Sequence, residues 1–168
     1  GRSPNRPGHS VGPMTTTETT PLLEESIEVD ASPETVWALI SDLTRMPRWS
    51  PQVRKTWVQG GTTRQGARFR NLNRKGLLFW PTSAKVVAFV PNQKLAFRVR
   101  DNYTIWSFAL EPHGTGTRIT ESREAPDGIS DISGMLTKVM LGGQERFTEE
   151  LRAGMRQTLT KIKDDLGG

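Results

Sequence analysis

Six short alternating segments followed by one long helical segment constrain this sequence most. Residues 53–59, 67–73, 78–90, 94–100, 103–111 and 117–123 each alternate apolar with polar side chains. Between them stand Gly60-Gly61, Gln65-Gly66, Lys75-Gly76, Pro91-Asn92, Asp101-Asn102 and Pro112-His113-Gly114. Period-two runs at regular spacing, separated by such residues, predict an antiparallel meander. Asp101-Asn102 is compatible with a tight hairpin turn, since both residues tolerate positive φ. Pro81 interrupts the ladder of the long third run and predicts a sheet edge or a bulge there. After the meander come Phe147, Leu151, Met155, Thr158, Leu159, Ile162 and Leu166. Gaps of three and four predict an amphipathic helix of roughly five to six turns.

Ahead of the meander, residues 26–30 alternate and read as one more strand. Ser32-Pro33-Glu34 then marks a helix start: a hydroxyl to cap free N–H groups, a proline at the first helical position, and a carboxylate at the positive dipole end. Val36, Trp37, Leu39, Ile40 and Leu43 give that helix an apolar face. Residues 42–49 form a second helical piece, interrupted by Pro47 and ended by Pro51. Residues 131–141 are also helical in spacing, and Gly142-Gly143 permits a break after them. One strand plus six makes a seven-stranded antiparallel sheet with one face needing cover. A long helix with an apolar stripe provides it, in an α+β packing. A curved sheet around one helix does not close at both ends, which leaves room for a pocket.

Composition narrows the function classes. The chain has 168 residues, 23 Lys+Arg, 18 Asp+Glu, two His and no Cys. That length suits one domain with a real core. Disulfides, thiolate metal sites and cysteine nucleophiles are excluded, and two histidines exclude a multi-His metal site. No apolar run approaches the ~18 residues of a membrane span. No secretory h-region is evident, so the expected compartment is cytoplasmic. Residues 1–13 (GRSPNRPGHSVGP) read as an expression leader with Met14 as the natural start. Residues 14–23 read as a flexible arm, and 24–166 as the single domain. Removing Arg2 and Arg6 reduces the net charge from +5 to +3, which is no nucleic-acid footprint.

Several stretches, in order, carry a family resemblance. They are Val29-Asp30-Ala31-Ser32-Pro33-Glu34-Thr35-Val36-Trp37, the segment DLTRMPRWSP at 42–51, and GARFRNLNR at 66–74. WSFALEP at 106–112, GTRITE at 116–121 and MRQTLTKIK at 155–163 complete the set. The chain resembles the START-like, helix-grip (SRPBCC) superfamily, within its polyketide cyclase/dehydrase and lipid-transport group, over about residues 24–165. The resemblance implies a helix-grip fold: a seven-stranded curved antiparallel sheet wrapped around a long C-terminal helix, with two short helices between strands 1 and 2. It also implies an apolar ligand cavity between sheet and helix. This fold hosts many unrelated functions, so the activity must come from the site.

Alternation assigns side chains to the two faces. Trp106, Phe108 and Leu110 share one face of their strand, and Leu95, Phe97 and Val99 share one face of the preceding strand. Phe69 lies with Asn71 and Asn73, while Arg68 and Arg70 point outward. Trp80, Thr82, Ala84 and Val86 form another inner row. These aromatics are either plain core or the wall of the implied cavity. Phe147 and Leu151 would face the same space from the helix. Trp49, beside Met46, would border the pocket mouth, as wall, lid or core. Met135 and Met140 offer flexible side chains for a variable ligand wall or for packing.

Glu121 is the sharpest polar candidate. Ile119 sets the inward phase and brings Thr117, Glu121 and Arg123 to its side. A buried carboxylate is costly unless paired or protonated. It could orient a ligand, act as an acid/base, pair with Arg123, or sit at the rim in water. Asn71 is a pocket polar group or a bridge within the sheet. His113 reads as a solvated turn residue. Arg74, Lys75 and Gly76 form a charged hairpin tip, either simply solvated or attracting an acidic ligand or an anionic membrane surface.

Three readings follow. The first is a binding or carrier domain for a hydrophobic small molecule of lipid, polyketide or isoprenoid type. There is no Ser/His/Asp set, phosphate loop or metal cluster in the sequence. No cofactor, metal or nucleic-acid partner is expected, and the chain is expected to act as a monomer or weak dimer. The second is a polyketide cyclase, aromatase or dehydrase using Glu121 and Asn71. The third is a protein-interaction module with a filled core.

Overall fold

The computed structural model describes residues 20–126 and 144–168. Seven antiparallel strands form one curved sheet: β1 Thr20–Val29, β2 Val53–Val58, β3 Arg68–Lys75, β4 Leu78–Val90, β5 Lys94–Val99, β6 Ile105–His113 and β7 Gly116–Ala125. Their order is β1-β7-β6-β5-β4-β3-β2. From β2 to β7 each strand therefore pairs with its sequence neighbour, as a meander requires, and β1 closes the far side against β7. Between β1 and β2 lie α1 Pro33–Ile40, a 3₁₀ turn Leu43–Arg45 and α2 Met46–Trp49. The long helix α3, Gln144–Asp165, packs on β1, β7 and α2. This is the expected α+β helix-grip arrangement.

Local chemistry explains the helix starts. The Ser32 hydroxyl accepts from the Thr35 backbone N–H at 3.2 Å, with Pro33 in the first turn of α1. The Asp42 carboxylate accepts from the Thr44 N–H at 3.1 Å and caps the 3₁₀ turn. Pro47 lies in the first turn of α2, so it begins that helix rather than interrupting it.

The core joins α1, the inner sheet face and the second half of α3. Val36, Val86, Leu95, Ile119 and Ile162 are completely buried. Full burial of such a side chain stabilises by about 1.5–3 kcal/mol relative to exposure. Trp49 belongs to this core, and its indole N–H donates to Asp165 Oδ2 at 2.9 Å. Arg48 reaches the same carboxylate at 3.0 Å, fastening α2 to the end of α3.

Three further elements differ from the sequence reading. The first strand begins at Thr20 rather than residue 26, so residues 20–23 belong to the sheet rather than to an arm. Pairing with β7 reaches Ala125, which buries Leu23 to 2% exposure. The β5–β6 connection is a five-residue loop, and the positive φ falls on Tyr103 (58°), not on Asp101 or Asn102. The Asn102 side chain instead accepts from the Thr104 N–H and hydroxyl, while Asp101 accepts from the Ser83 N–H at 2.9 Å. His113 is exposed, as expected, but it ends β6 rather than standing in the turn, with its Nε2 3.1 Å from Glu28 Oε1.

Pro81 sits in β4, an interior strand, at a place that is locally an edge. Residues 78–83 of β4 pair with β3, and β5 joins β4 from Ala84 onward. A register shift between Val86 and Ala88 adds an irregularity further along the strand. The stretch 131–141, with Met135 and Met140, lies outside the described residues.

Candidate functional site

Strand register arranges the inner face into rows. One row runs Glu25, Glu121, Phe108, Leu95, Phe89 across β1, β7, β6, β5 and β4. The next runs Leu23, Arg123, Trp106, Phe97, Val86. Further toward β2 come Val99, Ala84, Phe69 and Val58, then Thr82, Asn71 and Thr56. The face thus has ionisable groups on the β7 side, neutral polar groups on the β2–β4 side, and aromatics between. Phe69 and Phe97 meet edge to face at 5.2 Å between centroids.

The neutral polar groups are satisfied within the sheet. The Thr56 hydroxyl donates to Asn71 Oδ1 at 2.7 Å, and Asn71 Nδ2 donates to Met46 Sδ at 3.4 Å. Asn73 Nδ2 donates to Thr82 Oγ1 at 2.9 Å and to the Trp80 carbonyl at 3.3 Å. Asn71 is therefore a bridge between β2, β3 and α2. Trp80 and Thr82 are half-buried beside it.

Glu121 is different. It is only 4% exposed, and its Oε1 has no hydrogen-bond partner among the described residues. Burial, and then the neighbouring charge of Glu25, push its carboxyl up to about 8. At neutral pH it is protonated and can donate a hydrogen bond. No ion pair joins it to Arg123 among the described residues, and it does not stand at a wet rim. Glu25 instead accepts from Arg156 Nη1 at 2.9 Å and Arg152 Nη1 at 3.2 Å, both on α3.

Arg123 is 5% exposed, and burial lowers its guanidinium below the ordinary value. Its guanidinium carbon lies 5.8 Å from the ring centroids of both Trp106 and Phe147. Phe147 thus meets the sheet through Arg123. Leu151, one turn on, is half-buried, whereas Met155, Leu159 and Ile162 are tightly enclosed.

Of the expected site residues, Phe69, Asn71, Phe97, Trp106, Phe108 and Glu121 share the inner face. Trp49 belongs to the same core but comes from α2, with its indole N–H turned to the end of α3. Glu25 escapes a reading that starts the first strand at residue 26. Continuing the alternation back from Ile27 places Glu25 and Leu23 inward. Two grooves open to solvent elsewhere. One of about 300 Å³ lies between α1 and the end of α3, lined by Leu39, Arg45, Asp165 and Leu166 among others. The other, about 700 Å³, lies by the β4–β5 turn and the start of α1. Neither reaches Glu121 or Asn71. Among the described residues no group of three acidic or His side chains could hold a metal, and no helix is long and apolar enough to cross a membrane.

Known structures share this architecture. A polyketide-cyclase-like protein from Corynebacterium glutamicum is 28% identical, with a TM-score of 0.59 over 87% of this chain and 91% of its own. The di-domain aromatase/cyclase StfQ of the steffimycin biosynthetic pathway has a TM-score of 0.67 at 14% identity. That match covers 85% of this chain and 49% of StfQ, so this chain spans about half of it. A protein from Thermus thermophilus has a TM-score of 0.62 at 16% identity, over 84% of this chain and 97% of its own. No curated protein matches. The family model for polyketide cyclase/dehydrase and lipid transport matches residues 20–165, and the chain belongs to that family.

Proposed function

We propose that this chain binds a hydrophobic small molecule between the inner sheet face and α3. The ligand is of lipid, polyketide or isoprenoid type and carries an oxygen that accepts from protonated Glu121. The buried carboxyl of Glu121, whose Oε1 has no partner among the described residues and which shares the inner face with Trp106, Phe108 and Phe97, carries this reading. Apolar sites commonly combine such walls with a few placed polar groups. An unmet buried donor costs about 1–3 kcal/mol, which a ligand carbonyl would offset. The test is native mass spectrometry of protein purified from its source cells, followed by organic extraction. An added mass that extracts into organic solvent, and is depleted in Glu121→Leu, is the expected result. Protein that stays at its bare mass and takes up no neutral apolar dye in its native state overturns the proposal.

A second reading is favoured by the Glu25–Glu121 pair. Two facing carboxyls in different environments, one bonded to arginines and one buried without a partner for its Oε1 among the described residues, are a recurring basis for acid/base chemistry. In a polyketide cyclase, aromatase or dehydrase, Glu121 would protonate or polarise a substrate carbonyl. StfQ, an aromatase/cyclase with this fold, is consistent with that chemistry. If Glu121→Gln turns over a poly-β-ketone substrate at the wild-type rate, this reading fails.

A further inference from the structure

From Leu43 to Arg100 the chain has thirteen Lys/Arg and no Asp or Glu, although the whole sequence has 18 acidic residues. Register places much of this charge on the outer face of β2–β5. Lys55, Arg68, Arg70, Arg74 and Lys85 are exposed, and none makes an ion pair among the described residues. Arg68 stands directly opposite Lys85, and Lys85 directly opposite Arg98, which stacks over Tyr103. Like charges facing across strands destabilise a sheet, so an external anion would relieve the Arg68–Lys85 pair.

The same face ends in an apolar tip. The β3–β4 hairpin turns at Gly76 (φ 61°), and the next three residues are bare: Leu77 is 93% exposed, Leu78 59% and Phe79 51%. Arg74 stacks on Phe79 at 5.1 Å, and Lys75 reaches Glu150 of α3 at 3.2 Å. Trp57, 49% exposed, stands opposite Arg70 on β2. Acidic groups on the outer face collect at its other end, where Glu28 pairs with Arg118.

We propose that the outer face of β2–β5 and the Leu77–Phe79 tip dock this chain on an anionic lipid bilayer. The tip enters the headgroup–acyl boundary, and the arginine and lysine rows lie along the anionic headgroups. A nucleic acid would use the cations and gain nothing from Leu77 and Leu78. The bilayer uses both, and this proposal does not depend on what the inner face holds.

The test is co-sedimentation of the full chain with phosphatidylcholine vesicles, with and without about one-third phosphatidylglycerol. Binding to the anionic vesicles alone, weakening with added salt, is expected. Leu77→Ser with Leu78→Ser removes no core side chain, since Leu77 is almost fully exposed and Leu78 mostly so, and should weaken binding at least about tenfold while thermal unfolding stays close to the parent. Arg68→Gln with Lys85→Gln removes a repulsive cross-strand pair, so the variant should be no less stable. It should nevertheless bind about fivefold more weakly per cation lost. Equal partition to neutral and anionic vesicles overturns the proposal. So does wild-type binding by the tip variant, which would mark general polyanion attraction to a nucleic acid or acidic protein.

Discussion

Glu25 and Glu121 face each other across β1 and β7, and of the two only Glu25 is held by arginines. Burial, and then the neighbouring Glu25 charge, make Glu121 hold its proton well above the usual carboxylate range. Its carboxyl rises from 4.5 to about 8 on folding. Below 4.5 both the folded and unfolded states are protonated, and stability is unaffected. Between 4.5 and about 8 the unfolded chain has lost the proton while the folded chain keeps it, so stability falls as pH rises. Above about 8 the full penalty, of order a few kcal/mol, is present. Denaturant unfolding across about pH 4–9 should show this slope, and Glu121→Gln should flatten it. An unchanged slope in the variant would remove Glu121 from the account.

Gly116 opens β7 against the end of β1, where a Cβ would collide with the Val29 carbonyl. That carbonyl belongs to a strand backbone and has no rotamer to escape into. Gly116→Ala should cost about 2 kcal/mol or more. Thermal unfolding measures it, and a midpoint within a degree or so of the parent would refute the contact.

Trp49→Phe keeps most of the buried ring and deletes the N–H that donates to Asp165. Asp165 keeps its bond to Arg48, an exposed partner. The expected loss is about 1–2 kcal/mol by guanidinium titration. A neutral result would mean that packing, not the hydrogen bond, fixes α2.

Thr56 donates to Asn71 Oδ1, and Asn71 donates on to Met46, so substitutions at Thr56 and Asn71 should not add. Thr56→Val strands the Asn71 carbonyl oxygen, whereas Thr56→Val with Asn71→Leu removes both partners. A double-mutant cycle should give a coupling of about 1 kcal/mol. Strict additivity would disconnect the two side chains.

Much of this is legible in the alternation. Period two puts Phe69, Asn71 and Asn73 inward with Arg68 and Arg70 outward, and the phase set by Ile119 buries Glu121. Face assignment needs only spacing within one strand. Partner choice needs register between strands, so spacing alone does not tie Asn71 to Thr56. Tyr103 shows another limit. Its left-handed backbone, flanked by the Asn102 and Asp101 side-chain bonds, runs against the preference of an aromatic residue. Glu25 is lost to the placement of a strand start, and element ends are where pattern arguments are weakest.

Pro81 has a consequence for self-association. Along residues 78–82, β4 has a ladder partner on one flank only, and a ribbon with a bare flank invites a strand from another copy of the chain. Proline has no N–H to offer such a strand, and its ring obstructs close approach. A greasy, half-paired ribbon can thereby project from the sheet without serving as a template for edge-to-edge aggregation.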